Sequence, residues 1–210
     1  MRKEDREKFF KVLSDRNPEP KSDLEWTNTF TLLVAVVLSA QATDKGVNKA
    51  TPALFKTADT PEKMFALGED KIRDHIKTIG LFNSKAKNVY ALSRILIEKH
   101  DSVVPDTLKE LMALPGVGRK TANVVLNIAY KQPTIAVDTH IFRVSNRTGL
   151  APAKTPDLVE QKLNKVVPEE YKLHAHHWLI LHGRYVCKAR KPDCAECLVK
   201  EFCNYKDKTA

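Results

Sequence analysis

The chain has 210 residues, with 35 lysines and arginines against 26 aspartates and glutamates, a formal net charge of +9. That length suits one compact unit or two small domains with a real core, and that charge favours polyanions, nucleic acid first among them. A membrane span is excluded, because the most apolar stretch, residues 30–38, is far shorter than the about 20 residues a crossing helix needs. The charged N-terminus, residues 1–7, leads into no signal-peptide core. The expectation is a soluble, intracellular protein.

Glycine is scarce, with seven in the chain and the first at position 46. Apolar residues recur at three- and four-residue spacing without sustained β-branched alternation, which predicts an all-α protein. A first helix is expected over residues 2–15, burying Phe9, Phe10, Val12 and Leu13 and ended by Pro18 and Pro20. Asn28 can cap a very apolar helix over 29–40. Asp44 can cap the next, which Pro52 should kink or break. Thr60-Pro61 reads as a helix start, and Gly68 and Gly80 as left-handed stops. Further helices are expected over 84–99 and 107–114. A tight turn at 114–118 then opens a helix over 119–131, followed by an extended segment at 134–137. Asp138 or Thr139 caps a helix stopped at Gly149. Thr155-Pro156 starts another that ends at Pro168, and residues 169–186 form the last long helix before a loop-rich tail.

Three features carry chemistry. The first is the turn Leu114-Pro115-Gly116-Val117-Gly118 between two helices. Consecutive backbone N–H groups in a glycine turn can converge on one anion, and the following helix N-terminus adds partial positive charge. An ordinary glycine-capped turn is the other reading, and Arg119 and Lys120 favour phosphate. The second feature is Lys120 with Asp138. Taken alone, Lys120 reads as a phosphate-binding lysine and Asp138 as a helix cap. The third is the tail, with all four cysteines in the pattern Cys187-x6-Cys194-x2-Cys197-x5-Cys203. In a reducing compartment four thiolates suit zinc or an iron–sulfur cluster better than disulfides, and spacing alone leaves those two level. His174, His176 and His177 sit beside Trp178 and read as core residues, with no third ligand evident for a metal.

The segment Leu114-Pro115-Gly116-Val117-Gly118-Arg119-Lys120-Thr121-Ala122 resembles the helix–hairpin–helix of the endonuclease III family of DNA glycosylases. Val137-Asp138-Thr139-His140, eighteen residues beyond the lysine, resembles that family's catalytic segment. Ser39-Ala40-Gln41-Ala42-Thr43-Asp44 and Gly80-Leu81-Phe82-Asn83-Ser84-Lys85-Ala86 resemble its lesion-facing loops, and the cysteine tail resembles its cluster motif. The resemblance covers nearly the whole chain.

It implies two helical domains, a continuous one over residues 22–132 with the hairpin, and a discontinuous one from residues 1–21 and 133–210. It implies a 4Fe–4S cluster on Cys187, Cys194, Cys197 and Cys203. It also implies a bifunctional enzyme of base excision repair, a bacterial cytoplasmic monomer acting on double-stranded DNA with oxidised pyrimidines or abasic sites. Lys120 would displace the damaged base and form an imine, and Asp138 would stabilise the oxocarbenium-like sugar; β-elimination then cuts the strand. Attack needs a neutral amine, whereas a free lysine titrates near about 10.4. A first helical turn, a neighbouring arginine and burial against docked DNA each disfavour a charged amine.

Gly116, Val117, Gly118 and Arg119 are expected to meet the DNA backbone. Gln41 and Leu81 would fill the stack vacated by the extruded nucleotide. Lys188, Arg190 and Lys191, between the first two cysteines, would dock phosphates. Ser39, Asp44 and His140 are expected near the pocket. The alternatives are a monofunctional glycosylase, which would lack the lysine; a glycosylase for another lesion, such as a mismatched base; and a non-catalytic DNA-binding module with a structural metal.

Overall fold

The structure, a computed structural model, describes residues 1–209. Those residues form helices and loops, with no strand among them, and none of the described helices is long and apolar enough to cross a membrane. The chain divides into two compact units, Ser22–Lys131 and Met1–Lys21 with Gln132–Ala210.

In the continuous unit, α2 (Thr29–Leu38) is the centre of the core, with Phe30 to Leu38 all buried. Fully burying a leucine or valine contributes about 1.5–3 kcal/mol, so this helix forms mainly because of what surrounds it. Its start is fixed by a capping box, in which Asn28 accepts from the Thr31 N–H and the Thr31 hydroxyl accepts from the Asn28 N–H, both at 2.9 Å. Around it lie α3 (Asp44–Thr57), α4 (Pro61–Leu67), α5 (Glu69–Ile76), α6 (Phe82–His100), α7 (Leu108–Met112) and α8 (Arg119–Tyr130). Helices α4 and α5 pack on α6, and α8 packs on α2. Pro61 takes the first position of α4 behind the cap Thr60, and Gly68 ends that helix with φ 85°.

Three local expectations need correction. Helix α3 runs unbroken through Pro52. The ring lies on the exposed face, where water can serve the carbonyl that proline leaves unpaired, and buried Val47, Thr51, Leu54 and Phe55 hold the helix to the core. The cap of α3 is Thr43, whose hydroxyl accepts from the Gly46 N–H at 3.1 Å, and Asp44 is the first helical residue. Gly80 is not the left-handed stop; Leu81 takes that conformation, at φ 61°, and α6 begins directly after it.

The second unit has its own core. Helix α1 (Lys3–Arg16) buries Phe9 and Phe10 against α11 (Lys172–Tyr185), where Phe10 meets Trp178 and Phe9 meets His182. The Trp178 indole N–H donates to the Asn17 carbonyl at 2.7 Å. Helix α9 (Thr139–Thr148) packs on α11, and α10 (Pro156–Val166) starts at the cap Thr155 and packs on α9. Gly149 ends α9 in the left-handed conformation. The last helix is shorter than residues 169–186: a 3-10 turn over Glu169–Tyr171 precedes α11. His176 and His177 are buried, and His174 lies on Trp178.

Candidate active site

In the continuous unit, α7, the turn and α8 make the hairpin. Leu111, Leu114 and Val117 are buried and pin the turn to the core. Gly116 is left-handed at φ 77°, and a Cβ there would lie 2.8 Å from Asn88 Nδ2 and 3.0 Å from Asn88 Cβ. Glycine at 116 is therefore required by the fold itself. Gly118 differs: a Cβ there would meet nothing within 4 Å, so its outer side is open. Gly118 is also the N-cap of α8 and offers no side chain to the leading N–H groups. That leaves a helix start suited to an anion. Val117, expected among the phosphate contacts, has its side chain in the core and its N–H donated to the Leu114 carbonyl at 3.1 Å. It anchors the turn. Arg119 and Lys120 are the first two residues of α8, both exposed.

The two loops expected to face the lesion adjoin within this unit, since a Cβ on Gly80 would sit 4.0 Å from the Gln41 carbonyl oxygen. Gln41, at φ 54°, and Leu81, at φ 61°, are both left-handed without being glycine, and both are exposed. Such backbone is uncommon and costly for an apolar side chain such as Leu81. Leu81 is 58 % exposed, an apolar side chain held out to solvent. Ser39 closes α2, its hydroxyl donating to the Val36 carbonyl at 2.9 Å.

In the discontinuous unit, Asp138 caps α9: Oδ1 accepts from the Ile141 N–H at 2.8 Å. Ile135 and Ala136 are buried just before it, so the carboxylate has a fixed direction. His140 follows on the first turn, its Nδ1 3.2 Å from Arg143 Nη2. Arg143, not foreseen from sequence, also donates to the Cys187 carbonyl at 3.0 Å and the Gly183 carbonyl at 2.7 Å. It ties the helix that Asp138 caps to the cysteine segment.

The four cysteines are free and line one pocket with Arg147, His182 and Tyr205. Arg147, also unforeseen, donates to Cys187 Sγ at 3.5 Å, the Lys188 carbonyl at 2.7 Å and the Ala189 carbonyl at 3.1 Å, and lies over the Tyr205 ring. The Tyr205 N–H donates to Cys203 Sγ at 3.5 Å, and His182 Nε2 is 3.9 Å from Cys197 Sγ. Burial raises the Cys197 and Cys203 thiols, and Cys187 and Cys194 push both the same way. Burial lowers His182 to about 4, so it is neutral at physiological pH. Four cysteines around one pocket, with N–H donors at the sulfurs of Cys187 and Cys203, form a donor set that iron would hold as thiolates. Among the described residues no three His, Cys, Asp or Glu side chains converge as a single ion requires. The loop between the first two cysteines presents Lys188, Arg190 and Lys191 to solvent, with Lys191 left-handed at φ 47°.

Comparison with known proteins agrees with this geometry. Residues 34–169 match the model of the HhH-GPD superfamily of base excision DNA repair proteins, and residues 187–203 match the iron–sulfur binding domain of endonuclease III. Endonuclease III of Rickettsia conorii is 60 % identical over 198 residues, covering 94 % of either chain. That of Escherichia coli strain K12 is 56 % identical over 208 residues, covering 99 % of either chain. Among solved structures, a trapped endonuclease III–DNA covalent intermediate superposes with a TM-score of 0.90 at 41 % identity, covering 97 % of this chain and 96 % of that one. A thermostable thymine-DNA glycosylase shares the fold with a TM-score of 0.85 at 23 % identity, covering 96 % of either chain. The cofactor is a 4Fe–4S cluster carried in the matched tail. The chain belongs to the endonuclease III family of the HhH-GPD superfamily.

Proposed function

We propose that Lys120 is the nucleophile and Asp138 its charged partner in the removal of oxidised pyrimidines from duplex DNA. The chain is a base-excision-repair DNA glycosylase with an associated AP lyase activity. The observation that carries the assignment is the placement of Lys120. Its exposed amine stands on the first turn of α8, directly after an uncapped helix start and a turn whose outer side is open at Gly118. A phosphate held by those N–H groups fixes the sugar–phosphate backbone beside the amine.

The reaction follows from the chemistry of these groups. A neutral Lys120 amine forms a bond to C1′ as the glycosidic bond breaks and the base departs. Positive charge develops on the sugar in that step, and the Asp138 carboxylate, oriented by its hydrogen bond to Ile141, stabilises it. Opening of the sugar ring gives an imine, and loss of a C2′ proton expels the 3′ phosphate. Gln41 and Leu81 fill the vacated stack, the amide facing the widowed base and the leucine acting as a wedge.

Cys187, Cys194, Cys197 and Cys203 hold the cluster, which supplies a rigid cross-link for the tail. Lys188, Arg190 and Lys191 dock phosphates, and Ser39, Asp44 and His140 border the pocket. The two units are the domains of a bacterial cytoplasmic enzyme that works as a monomer. In the test, Lys120→Ala should lose cleavage at an abasic site while equilibrium binding stays within an order of magnitude. Retained cleavage would assign the nucleophile elsewhere.

A further inference from the structure

Lys85 is buried, at 5 % exposure, on the second turn of α6. Its Nζ is closed to solvent, and among the described residues no group accepts from it. Burial lowers its pKa, and no carboxylate opposes that shift. A buried ammonium without a partner destabilises a fold, and a methionine of similar length would fill the space without that penalty. The free protein thus holds a buried amine with no acceptor, a cost that an acceptor in another state would relieve.

Position indicates which state. Side chains on a helix lean towards its N-terminus, so Lys85 runs back over the turn that starts at Leu81. One turn further along α6, Asn88 lies against Gly116 of the hairpin. The face of α6 from Leu81 through Lys85 to Asn88 thus joins the exposed wedge loop to the phosphate-binding turn. Next to Leu81, Gly80 approaches the Gln41 carbonyl, and both Gln41 and Leu81 hold strained left-handed backbone. The Leu81 carbonyl accepts from the Lys85 N–H at 3.0 Å and the Ser39 carbonyl from the Ala42 N–H at 3.1 Å; each carbonyl oxygen has a second lone pair to offer.

We propose that Lys85 is a positioning residue for the insertion loops: its ammonium, without an acceptor in the DNA-free protein, pairs with backbone carbonyls of the 39–42 and 80–82 loops as Gln41 and Leu81 enter the duplex. This rests on the reading of Gln41 and Leu81 as insertion residues. The amine's desolvation is then compensated only in the inserted state, which biases the loops towards insertion.

Lys85→Met and Leu81→Ala test it on the cluster-loaded protein. Three quantities are measured: the urea midpoint, single-turnover cleavage of a thymine-glycol duplex, and cleavage at an abasic site in single-stranded DNA, where no stack must be vacated. Lys85→Met should keep or raise the midpoint. It should cleave the duplex about ten-fold more slowly and the single strand within about twofold of wild type. A lowered midpoint with equal losses on both substrates would make Lys85 a structural residue and overturn the proposal. An unimpaired duplex rate for Lys85→Met, with Leu81→Ala impaired, would overturn the Lys85 role alone. Unimpaired duplex rates for both would remove the insertion reading as well.

Discussion

Alanine at Gly116 and alanine at Gly118 should have opposite effects on folding and binding. At 116 the backbone is left-handed, φ 77°, which costs an L-residue about 1–2 kcal/mol, partly offset by about 0.4–1 kcal/mol from a stiffer unfolded chain. The new Cβ also meets Asn88 Nδ2 at 2.8 Å and Asn88 Cβ at 3.0 Å. The second contact involves the root of the side chain, so rotation of the amide alone does not relieve it, and such overpacking costs about 1–3 kcal/mol. Gly116→Ala should therefore destabilise the protein by about 2–4 kcal/mol. Adding Asn88→Ala should recover the steric part and leave about 1 kcal/mol, a non-additivity readable in a double-mutant cycle. At 118 the backbone is extended, φ −88°, and a Cβ meets nothing within 4 Å. Gly118→Ala should change stability by less than about 1 kcal/mol. The same methyl stands where the phosphate must approach α8, so affinity for an abasic-site duplex should fall about ten-fold or more, or about 1.4 kcal/mol. Urea unfolding and fluorescence anisotropy measure the two quantities. A Gly118→Ala protein that is equally stable and binds DNA as wild type would refute the anion-binding reading of the hairpin.

The cysteine segment offers three further tests. Arg190→Ala with Lys191→Ala should reduce the slope of log affinity against log salt by about 2, near 0.9 for each phosphate that is no longer neutralised; an unchanged slope would take this loop out of the interface. Arg147→Met removes donors to Cys187 Sγ and to the Lys188 and Ala189 carbonyls. It should weaken the segment by about 3 kcal/mol and lower iron content and visible absorbance, whereas full iron retention would show that the loop holds itself. His182 is pushed down to about 4 in the folded protein. Because the unfolded chain takes up that proton near about 6.5, stability should be complete above that pH. It should fall by up to about 3 kcal/mol as pH drops towards 4. His182→Phe should flatten the dependence of the urea midpoint between pH 7 and 4.5, and an unaltered acid slope would locate the proton uptake elsewhere.

Much of the helical frame is legible in local chemistry. Asn28, Thr60-Pro61, Asp138 and Thr155-Pro156 mark helix starts because their capping side chains act on N–H groups three residues on. Gly68 and Gly149 mark ends because they accept left-handed backbone. What local reading misses is set by tertiary context. Pro52 stays inside a helix because one face of α3 is buried and the ring is not. Leu81, not Gly80, takes the strained conformation, a choice no propensity predicts for an apolar residue. In the site, the glycine turn, the lysine after it and the cysteine spacing are visible in one dimension. Arg143 and Arg147 are not, since their partners lie about forty residues away in sequence. Their one-turn spacing on α9 is the signal that would have placed both on one face. The burial of Lys85 has no local signal, since only the fold closes over it.

The central claim, that Lys120 becomes covalently joined to the sugar, is tested most directly by borohydride reduction during reaction with a duplex carrying one thymine glycol. Wild type and Lys120→Ala are compared, both loaded with the cluster. The account predicts a protein–DNA adduct with wild type, mapped by peptide mass analysis to Lys120, and none with Lys120→Ala. An adduct that persists in Lys120→Ala, or base release by wild type with no adduct at all, would contradict it.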